Sequence, residues 1–249
     1  MARLTRLLSG LRPGSDPHPA LPHLDQPVCV IGDIHGRCDL LDQLLAMIAR
    51  LGPTRLILVG DYLDRGPDSG AVLSRLMDLQ ATCLMGNHER MLLDFLDRPA
   101  EAGARWLING GAETLASLGL GGRLAGESGA ERMGDLAQRL RERLPHGAET
   151  WLRQRPLWWR EGGLGVVHAG ADPARALEDQ PQDALLWGHR DFGKPRVDGL
   201  WIAHGHVIVA VPRAEAGRIS VDTGAWRTGR LTGAWIEGGA VRFLQTAPG

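Results

Sequence analysis

Short apolar runs alternate with helix-like patterns over the first third of the chain. Residues 28–31, 56–59 and 81–85 are continuous apolar runs, which is typical of strands that are buried on both faces. Between them, apolar residues recur at short helical spacings over residues 40–51 and 72–79, which indicates one face of a helix. This alternation predicts βαβ units with parallel strands and right-handed crossovers.

The pattern changes in the second half of the chain. Residues 98–160 hold a glycine-rich piece, a charged helical pattern and several tryptophans, and we interpret them as a helical insertion. From residue 164 onwards, strand-like runs lie too close together for crossover helices, so a second, antiparallel or mixed sheet stacked on the first is expected. The predicted fold class is α+β with an α/β-like beginning. The later strand-like runs cover residues 164–167, 200–203, 207–211, 218–221, 233–236 and 241–244.

The candidate site residues described below are scattered from Asp33 to His206, and they can meet only if one domain contains them all. We therefore predict a single domain over residues 28–249. Residues 1–27 carry five prolines and three arginines, and their apolar positions are too few and too broken for a signal peptide. We interpret residues 1–27 as a mobile tail, with a short basic docking helix as the alternative.

Composition and charge narrow the possible function classes. The 249 residues are 43% hydrophobic and 23% charged, and no apolar run approaches the length that spans a bilayer. The formal net charge of −1 provides no broad basic field, so neither a nucleic acid nor a membrane is an expected partner. The three cysteines form no paired framework, from which we expect reduced thiols and a cytoplasmic location.

Three glycine-punctuated motifs each close one of the predicted strands. They read Gly-Asp-Ile-His-Gly at 32–36, Gly-Asp-Tyr-Leu-Asp-Arg-Gly at 60–66 and Gly-Asn-His-Glu at 86–89. The carboxyl ends of neighbouring parallel strands share one crevice, where open sheets of this kind bind ligands. A single Asp or His after a strand is more often a turn former or a helix cap. For the six strand-end residues named in the next paragraph, this ordinary explanation would have to hold independently six times.

The side chains at these strand ends are oxygen and imidazole donors without a thiolate. This set suits a pair of divalent metal ions better than a structural zinc site. Two such ions can clamp phosphoryl oxygens and lower the pKa of a bound water molecule to about 7. The sequence therefore predicts a two-metal phosphoesterase. Its predicted metal ligands are Asp33, His35, Asp61, Asn87, His168 and His206.

Three further residues are predicted to act on the substrate. His88 follows a predicted ligand directly, and a carboxylate neighbour such as Asp64 would raise the pKa of its imidazole. We predict that the pair of His88 and Asp64 is the general acid that protonates the leaving oxygen. Arg65 is suited to two-pronged binding of phosphate oxygens. Glu89 is interpreted only as a carboxylate in the first turn of a helix, where the dipole favours it.

The motifs GDIHG, GDYLDRGPDS, GNHE, VHAG and VDTGA occur in this order between residues 28 and 243. In this respect the chain resembles the phosphoprotein phosphatase group of calcineurin-like metallophosphoesterases, and within it the bacterial and phage-type serine/threonine protein phosphatases. The resemblance implies a β-sandwich of two mixed sheets flanked by helices. It also implies a dinuclear centre with two divalent ions, manganese in the first place and iron, zinc or magnesium as alternatives.

The resemblance further implies how the ligands divide between the two metals. The late motif of this chain reads His-Gly-His-Val where the family usually has Gly-His-Thr, and the position of the glycine selects His206. His204 remains an alternative ligand. The implied division assigns Asp33 and His35 to one metal, Asp61 to the bridge, and Asn87, His168 and His206 to the other.

One phosphate-binding position departs from the family pattern. The family commonly has Trp, any residue, Arg and then Phe three positions further on, and the arginine grips phosphate. Here Trp187 and Phe192 keep this spacing, but His189 takes the place of the arginine and Arg190 follows it. Either Arg190 serves in its place, or the grip on phosphate depends on pH through His189.

The leading expectation is hydrolysis of phosphoserine or phosphothreonine in proteins, by direct attack of hydroxide held between two metal ions. A nearby rival is hydrolysis of dinucleoside polyphosphates such as diadenosine tetraphosphate, although residues 61–69 match protein phosphatases more closely. A non-catalytic binding module is a third reading, which the complete ligand set disfavours. The expected partner is a phosphorylated protein or a small phosphoester.

Overall fold

Two five-stranded sheets form the centre of the protein, whose computed structural model describes residues 20–121 and 129–247. The strands are β1 Val28–Ile31, β2 Arg55–Leu58, β3 Thr82–Cys83, β4 Trp158–Glu161, β5 Leu164–Val167, β6 Trp201–His204, β7 Arg213–Glu215, β8 Arg218–Ser220, β9 Thr232–Glu237 and β10 Ala240–Gln245. The helices are α1 Cys38–Ala49, α2 Ser69–Met77, α3 Asn87–Asp97, α4 Pro99–Trp106, α5 Ala112–Ser117, α6 Ala130–Arg143, α7 Ala148–Arg153, α8 Gln182–Trp187 and α9 Ala225–Thr228.

The first sheet contains the predicted βαβ units. Its strand order is β10-β9-β1-β2-β3, and β1, β2 and β3 pair in parallel. Helices α1 and α2 are the two crossovers, which confirms the alternation read from the apolar runs. All four residues of β1 are buried, because the strand has neighbours on both sides and cover on both faces.

The second sheet is mixed. Its order is β4-β5-β6-β8-β7, in which β5, β6 and β8 run parallel while β4 and β7 form antiparallel edges. Val30 and Ile57 of the first sheet pack in one buried cluster with Val166 and Ala203 of the second. Alternate residues of the first sheet, such as Ile31, pack instead on α1 and α2. The prediction of two mixed sheets flanked by helices is confirmed.

Two details of the predicted strands were wrong. Residues 207–211 form a loop rather than a strand, because His206 has a φ of 63° and turns the chain out of the extended conformation. Val207 and Val211 are 54% and 71% exposed, so their side chains face solvent instead of a sheet. Moreover, β9 and β10 join the first sheet and not the second, since β9 pairs antiparallel with β1.

Helices fill most of the region that was interpreted as an insertion. Helices α4 to α7 lie within residues 98–160, joined in part by a π-helical turn at Leu107–Gly111, and β4 begins at Trp158. Their apolar faces meet α3 in one buried cluster that includes Leu92, Phe95 and Trp106. This region therefore packs directly on the helix that opens with the Gly-Asn-His-Glu motif.

Most of the predicted tail, residues 1–19, lies outside the described residues. Residues 20–27 lie against the domain, where Leu21 and Leu24 pack on the cluster between the two sheets. The division into a mobile tail and a single domain stays a prediction. In the described part of the chain, no helix combines the length and the apolar character needed to cross a bilayer.

Leu92 and Leu51 offer a matched test of this packing, because Leu92 is fully buried and Leu51 is 37% exposed. Leu92→Ala should lower the free energy of unfolding by about 2–5 kcal/mol, since it leaves a cavity beneath α3. Leu51→Ala should change it by no more than about 0.5 kcal/mol. Chemical denaturation measures both values, and equal losses would contradict the proposed core.

Candidate dinuclear metal site

The candidate site lies at the carboxyl ends of strands from both sheets. Strands β1, β2 and β3 of the first sheet and β5 and β6 of the second lead into the same crevice, so the predicted ligands are brought together. In chain order, these ligands are Asp33 and His35 after β1, Asp61 after β2, Asn87 at the start of α3, His168 after β5 and His206 after β6.

The turns that carry the site residues are left-handed. Six non-glycine residues in the described chain have a positive φ, and five of them belong to the predicted site. This backbone region is disfavoured for residues with a Cβ, and such strain persists only where the surrounding structure enforces it. The strained turns thus indicate a backbone shaped for the site. The five residues are His35 (φ 46°), Asp61 (φ 55°), Asp64 (φ 70°), Arg65 (φ 67°) and His206 (φ 63°).

Asp61 lies at the centre of the cluster. Its carboxylate oxygens are 3.5 Å from His35 Nε2, 3.4 Å from His168 Nε2 and 3.8 Å from His88 Nε2. Burial alone would raise the pKa of Asp61, but the neighbouring imidazoles outweigh burial and hold this pKa below its usual value. Burial lowers the pKa of His35 to about 3 and that of His168 to about 4, so both rings are neutral and can offer a lone pair to a cation.

Two groups of potential ligand atoms share Asp61. One consists of Asp61, His35 and His88, and the other of Asp61, His168 and His206; within each group the atoms lie within 4.8 Å of one another. Asn87 adds its Oδ1, which is 2.8 Å from His168 Nε2 and 3.0 Å from His206 Nδ1. A carboxylate that belongs to both groups is the arrangement a bridging ligand requires.

Asp33 lies against a second carboxyl group, that of Asp222. Both residues are nearly buried, at 2% and 3% exposure. The Oδ atoms of Asp33 also accept the backbone N–H of His206 at 3.0 and 3.2 Å. Burial, followed by the charges of Asp222 and Asp61, raises the pKa of Asp33.

The donor set fits divalent cations. Several buried carboxyl groups within one small volume are costly unless positive charge accompanies them. Carboxylate oxygen, amide oxygen and imidazole nitrogen are ligands that suit metals such as manganese, iron or zinc. Asp222 stands in the VDTGA motif, but no site role was predicted for it from the sequence.

Glu89 connects the turn at residues 60–66 with the turn at residues 86–89. Its Oε2 accepts the backbone N–H groups of Asp61 at 2.8 Å and Gly86 at 2.9 Å, and its Oε1 accepts that of Tyr62 at 2.8 Å. Gly86 must lack a side chain here, because a Cβ would lie 2.3 Å from Asp61 Oδ1. The sequence interpretation of Glu89 as a first-turn carboxylate missed these contacts, which fix the backbone of Asp61.

Asp64 and His88 form the predicted pair. Asp64 Oδ2 lies 2.8 Å from His88 Nδ1, and both side chains are almost fully buried. Burial alone would lower the pKa of His88, but the charge of Asp61 and the bond to Asp64 outweigh it and raise this pKa above its usual value. A raised pKa favours the protonated form of the ring, which is the form a general acid requires.

The helical region at residues 98–160 supplies the partners of Asp64. Trp106 Nε1 donates to both carboxylate oxygens at 3.1 Å, and Thr114 Oγ1 donates to Oδ1 at 2.6 Å. The backbone N–H of Asp64 is bound in turn by Thr114 Oγ1 at 2.9 Å and by Ser69 Oγ at 3.1 Å. Neither Trp106 nor Thr114 belongs to a motif, and only their place in the fold brings them to Asp64.

Arg65 is half-buried beside the cluster. One guanidinium nitrogen is 3.4 Å from His35 Nε2, and the guanidinium lies 5.5 Å from the ring centre of Trp226. Its backbone N–H donates to the carbonyl of Gly110 at 3.1 Å. Gly110 has a φ of 108°, and a Cβ there would come within 2.7 Å of the backbone of Arg65. A glycine in the helical region thus allows this close approach.

His204, His189 and Arg190 were considered from the sequence as an alternative ligand and as phosphate-binding residues, and their contacts lie outside the six predicted ligands. His204 Nδ1 lies 3.0 Å from the carbonyl oxygen of Gly205, and its Nε2 lies 3.0 Å from Ser220 Oγ, so both nitrogens already have partners. His189 lies 4.0 Å from Asp172 and accepts the backbone N–H of Asp191.

The side chain of Arg190 is 90% exposed. Within the described residues, neither His189 nor Arg190 forms a hydrogen bond or ion pair with any of the six predicted ligands. A phosphate-binding role for these two residues stays a prediction.

Fold and site together define a metal-dependent phosphoesterase. The family model described as calcineurin-like phosphoesterase matches residues 26–209, and the chain belongs to this family. Members of the family use dinuclear divalent metal sites, and the cluster of His and Asp side chains fits such a site. The family resemblance inferred from the motifs is confirmed.

Some of the similar proteins are named as protein phosphatases and others as dinucleoside tetraphosphatases. The chain is 43% identical to serine/threonine-protein phosphatase 1 of Salmonella typhimurium over 84% of this chain and 92% of that protein. It is 33% identical to a symmetrical bis(5'-nucleosyl)-tetraphosphatase of Ralstonia nicotianae over 59% of this chain and 43% of that protein. The solved structure of a candidate diadenosine tetraphosphatase is similar at a TM-score of 0.63 and 25% identity, covering 92% of this chain and 97% of that chain.

Glu89→Gln tests the support of Asp61. An amide has one acceptor oxygen in place of two, so at least one of three buried N–H groups loses its partner, at about 1–3 kcal/mol of stability. We expect this loss in chemical denaturation, together with weaker manganese binding in titration calorimetry. Glu113→Gln, at an exposed position in the first turn of α5, is the control and should leave both unchanged. Unaltered manganese affinity in Glu89→Gln would exclude the support of Asp61.

His88→Asn separates a proton donor from a metal ligand, because His88 lies within one of the two groups of ligand atoms. We expect turnover to fall about 10²–10⁴-fold, the usual loss when a general acid is removed, while the metal content persists. His35→Asn is the matched control and should lose metal. Elemental analysis of both purified variants decides between the roles, and loss of metal from His88→Asn would make His88 a ligand.

Proposed function

We propose that the chain is a metal-dependent phosphatase that hydrolyses phosphomonoesters, and foremost phosphoserine and phosphothreonine in proteins. The observation that carries the proposal is the buried His88–Asp64 pair, whose free ring nitrogen lies 3.8 Å from the central Asp61. This arrangement offers a proton donor beside the position of two metal ions, as cleavage of an ester with an alkoxide leaving group requires.

The six ligands would hold two divalent ions, with Asp61 between them. When bound, such ions polarise the phosphoryl oxygens and activate a water molecule for attack. We propose manganese as the native metal, with iron, zinc or magnesium as alternatives, because the donors are oxygen and imidazole without thiolate.

The chain's own groups would perform the remaining steps. His88 Nδ1 is engaged by Asp64 at 2.8 Å, so Nε2 is the atom that hands a proton to the leaving oxygen of serine or threonine. Asp64 keeps the ring oriented and stabilises its protonated form. Arg65 would bind and orient the phosphoryl oxygens from its place beside His35.

A second candidate function is hydrolysis of dinucleoside polyphosphates. It is supported by the relative in Ralstonia nicotianae and by the structure at a TM-score of 0.63. The relative named as a protein phosphatase is more similar, at 43% identity over most of both chains, and it favours the protein substrate. A non-catalytic binding module is a remote third candidate. We further propose a cytoplasmic location, since the three cysteines are free.

A substrate panel tests this proposal. The manganese-loaded protein should hydrolyse phosphoserine and phosphothreonine peptides with a higher kcat/KM than diadenosine tetraphosphate or a phosphodiester. Removal of metal with a chelator should abolish turnover, and manganese should restore it. A preference for diadenosine tetraphosphate would support the second candidate. Absence of all turnover at full metal content would leave only the binding module.

A further inference from the structure

Arg105 occupies an unusual position at the edge of the site. It lies near the end of α4, and its guanidinium is 4.5 Å from the ring centre of Trp187. The ring of Trp187 meets His206 edge to face, with ring centres 6.4 Å apart. The guanidinium is thus only one aromatic ring away from a predicted metal ligand. No motif contains Arg105, and no role was predicted for it.

The charge of Arg105 is not neutralised in the described structure. Arg98, at the start of the same helix, pairs with Asp94 and Glu101. Arg90 pairs with Asp94 and Asp97. Within residues 20–121 and 129–247, Arg105 has no carboxylate at ion-pair distance, and its contact is the face of Trp187. An arginine stacked on a ring keeps its N–H edges free, and these edges match a carboxylate or phosphate in two-pronged fashion.

Two other basic side chains, those of His189 and Arg190, follow Trp187 closely in the chain. His189 lies 4.0 Å from Asp172. The following Arg190 lies 3.6 Å from Asp191 and is otherwise directed into solvent. Both side chains are therefore next to acidic groups. Arg105 lies on the side of the site formed by Trp187, and no acidic side chain of the described chain forms an ion pair with its guanidinium.

We propose that Arg105, stacked on Trp187, binds an acidic group of the substrate that neighbours the phosphoryl group. The inference rests on the proposed phosphatase function and adds a substrate class, namely phosphopeptides with an acidic residue close to the phosphorylated one. Consecutive Cα atoms of a peptide are about 3.8 Å apart. An acidic side chain next to the phosphorylated residue can therefore reach Arg105, which only the ring of Trp187 separates from the predicted metal site. Trp187 limits the rotamers of Arg105 and so reduces the entropy lost on binding.

A second arginine on a tryptophan lies on the other side of the cluster. Arg65 stacks on Trp226 next to His35, whereas Arg105 stacks on Trp187 next to His206. Arg65 is close enough to serve the phosphoryl group itself. Arg105 is further from the centre and serves a different group, which is why the two arginines should differ in their effect on substrates.

The test uses pairs of phosphoserine peptides that differ only by Glu or Gln at one position, from two residues before to two residues after the phosphoserine. The manganese-loaded full chain should prefer the Glu peptide by roughly fivefold in kcat/KM at one or more of these positions, because a partly exposed ion pair is worth about 1 kcal/mol. The difference should lie in KM and should shrink at high salt.

Arg105→Met should remove this preference without lowering kcat/KM for a small aryl phosphate that lacks a second acidic group. Arg105→Lys should keep part of the preference, because it retains the charge but not the planar fork. Arg98→Met is the control on the same helix and should keep the full preference. Thermal unfolding of each variant establishes that the fold is retained.

Each outcome decides between the alternatives. Equal rates for Glu and Gln peptides in the unmodified protein, or a preference that survives in Arg105→Met, would overturn the role of Arg105 while leaving the phosphatase function intact. Equal loss of activity on every substrate would make Arg105 a structural residue and also overturn the inference. Failure to hydrolyse any phosphopeptide, with turnover of diadenosine tetraphosphate, would overturn the proposed function and this inference together.

Discussion

Three backbone N–H groups from two different turns converge on the carboxylate of Glu89. Two belong to the turn after β2 and one to the turn after β3, so one side chain joins neighbouring strand ends. The turn after β2 holds Asp61 in a left-handed conformation, which is disfavoured without such support. Because Asp61 stands within 4 Å of three imidazoles, the order of the whole cluster depends on this support.

This arrangement has an electrostatic consequence. Burial and the nearby charge of Asp61 raise the pKa of Glu89, while the bound N–H groups act in the opposite direction. The buried carboxyl groups of Asp33, Asp61, Glu89 and Asp222 are thus gathered around one crevice. Divalent cations would neutralise this charge, and the same ions would perform the chemistry that the family shares. Metal binding and the stability of the crevice are therefore expected to be coupled.

The helical region at residues 98–160 is more than an addition beside the site. Trp106 and Thr114 donate hydrogen bonds to the carboxylate of Asp64, and the carbonyl of Gly110 accepts the backbone N–H of Arg65. Arg105 from the same region reaches the edge of the crevice through Trp187. One structural unit thus orients the candidate proton donor and also contributes to the surface a substrate would meet. A substitution in this region is therefore expected to affect both the proposed proton transfer and the proposed substrate preference.

The sequence by itself determined the βαβ beginning, the helical character of the middle, the two-sheet fold class and the polar residues after the strands that the fold brings together. It could do so because each apolar run, the glycine that ends it and the polar residues after it are consecutive. Only the tertiary structure decided that Glu89, Asp222, Trp106 and Thr114 support the site, since their partners are distant in sequence. It also decided that residues 207–211 form a loop. An apolar run predicts burial, but the left-handed turn at His206 directs Val207 and Val211 to solvent instead.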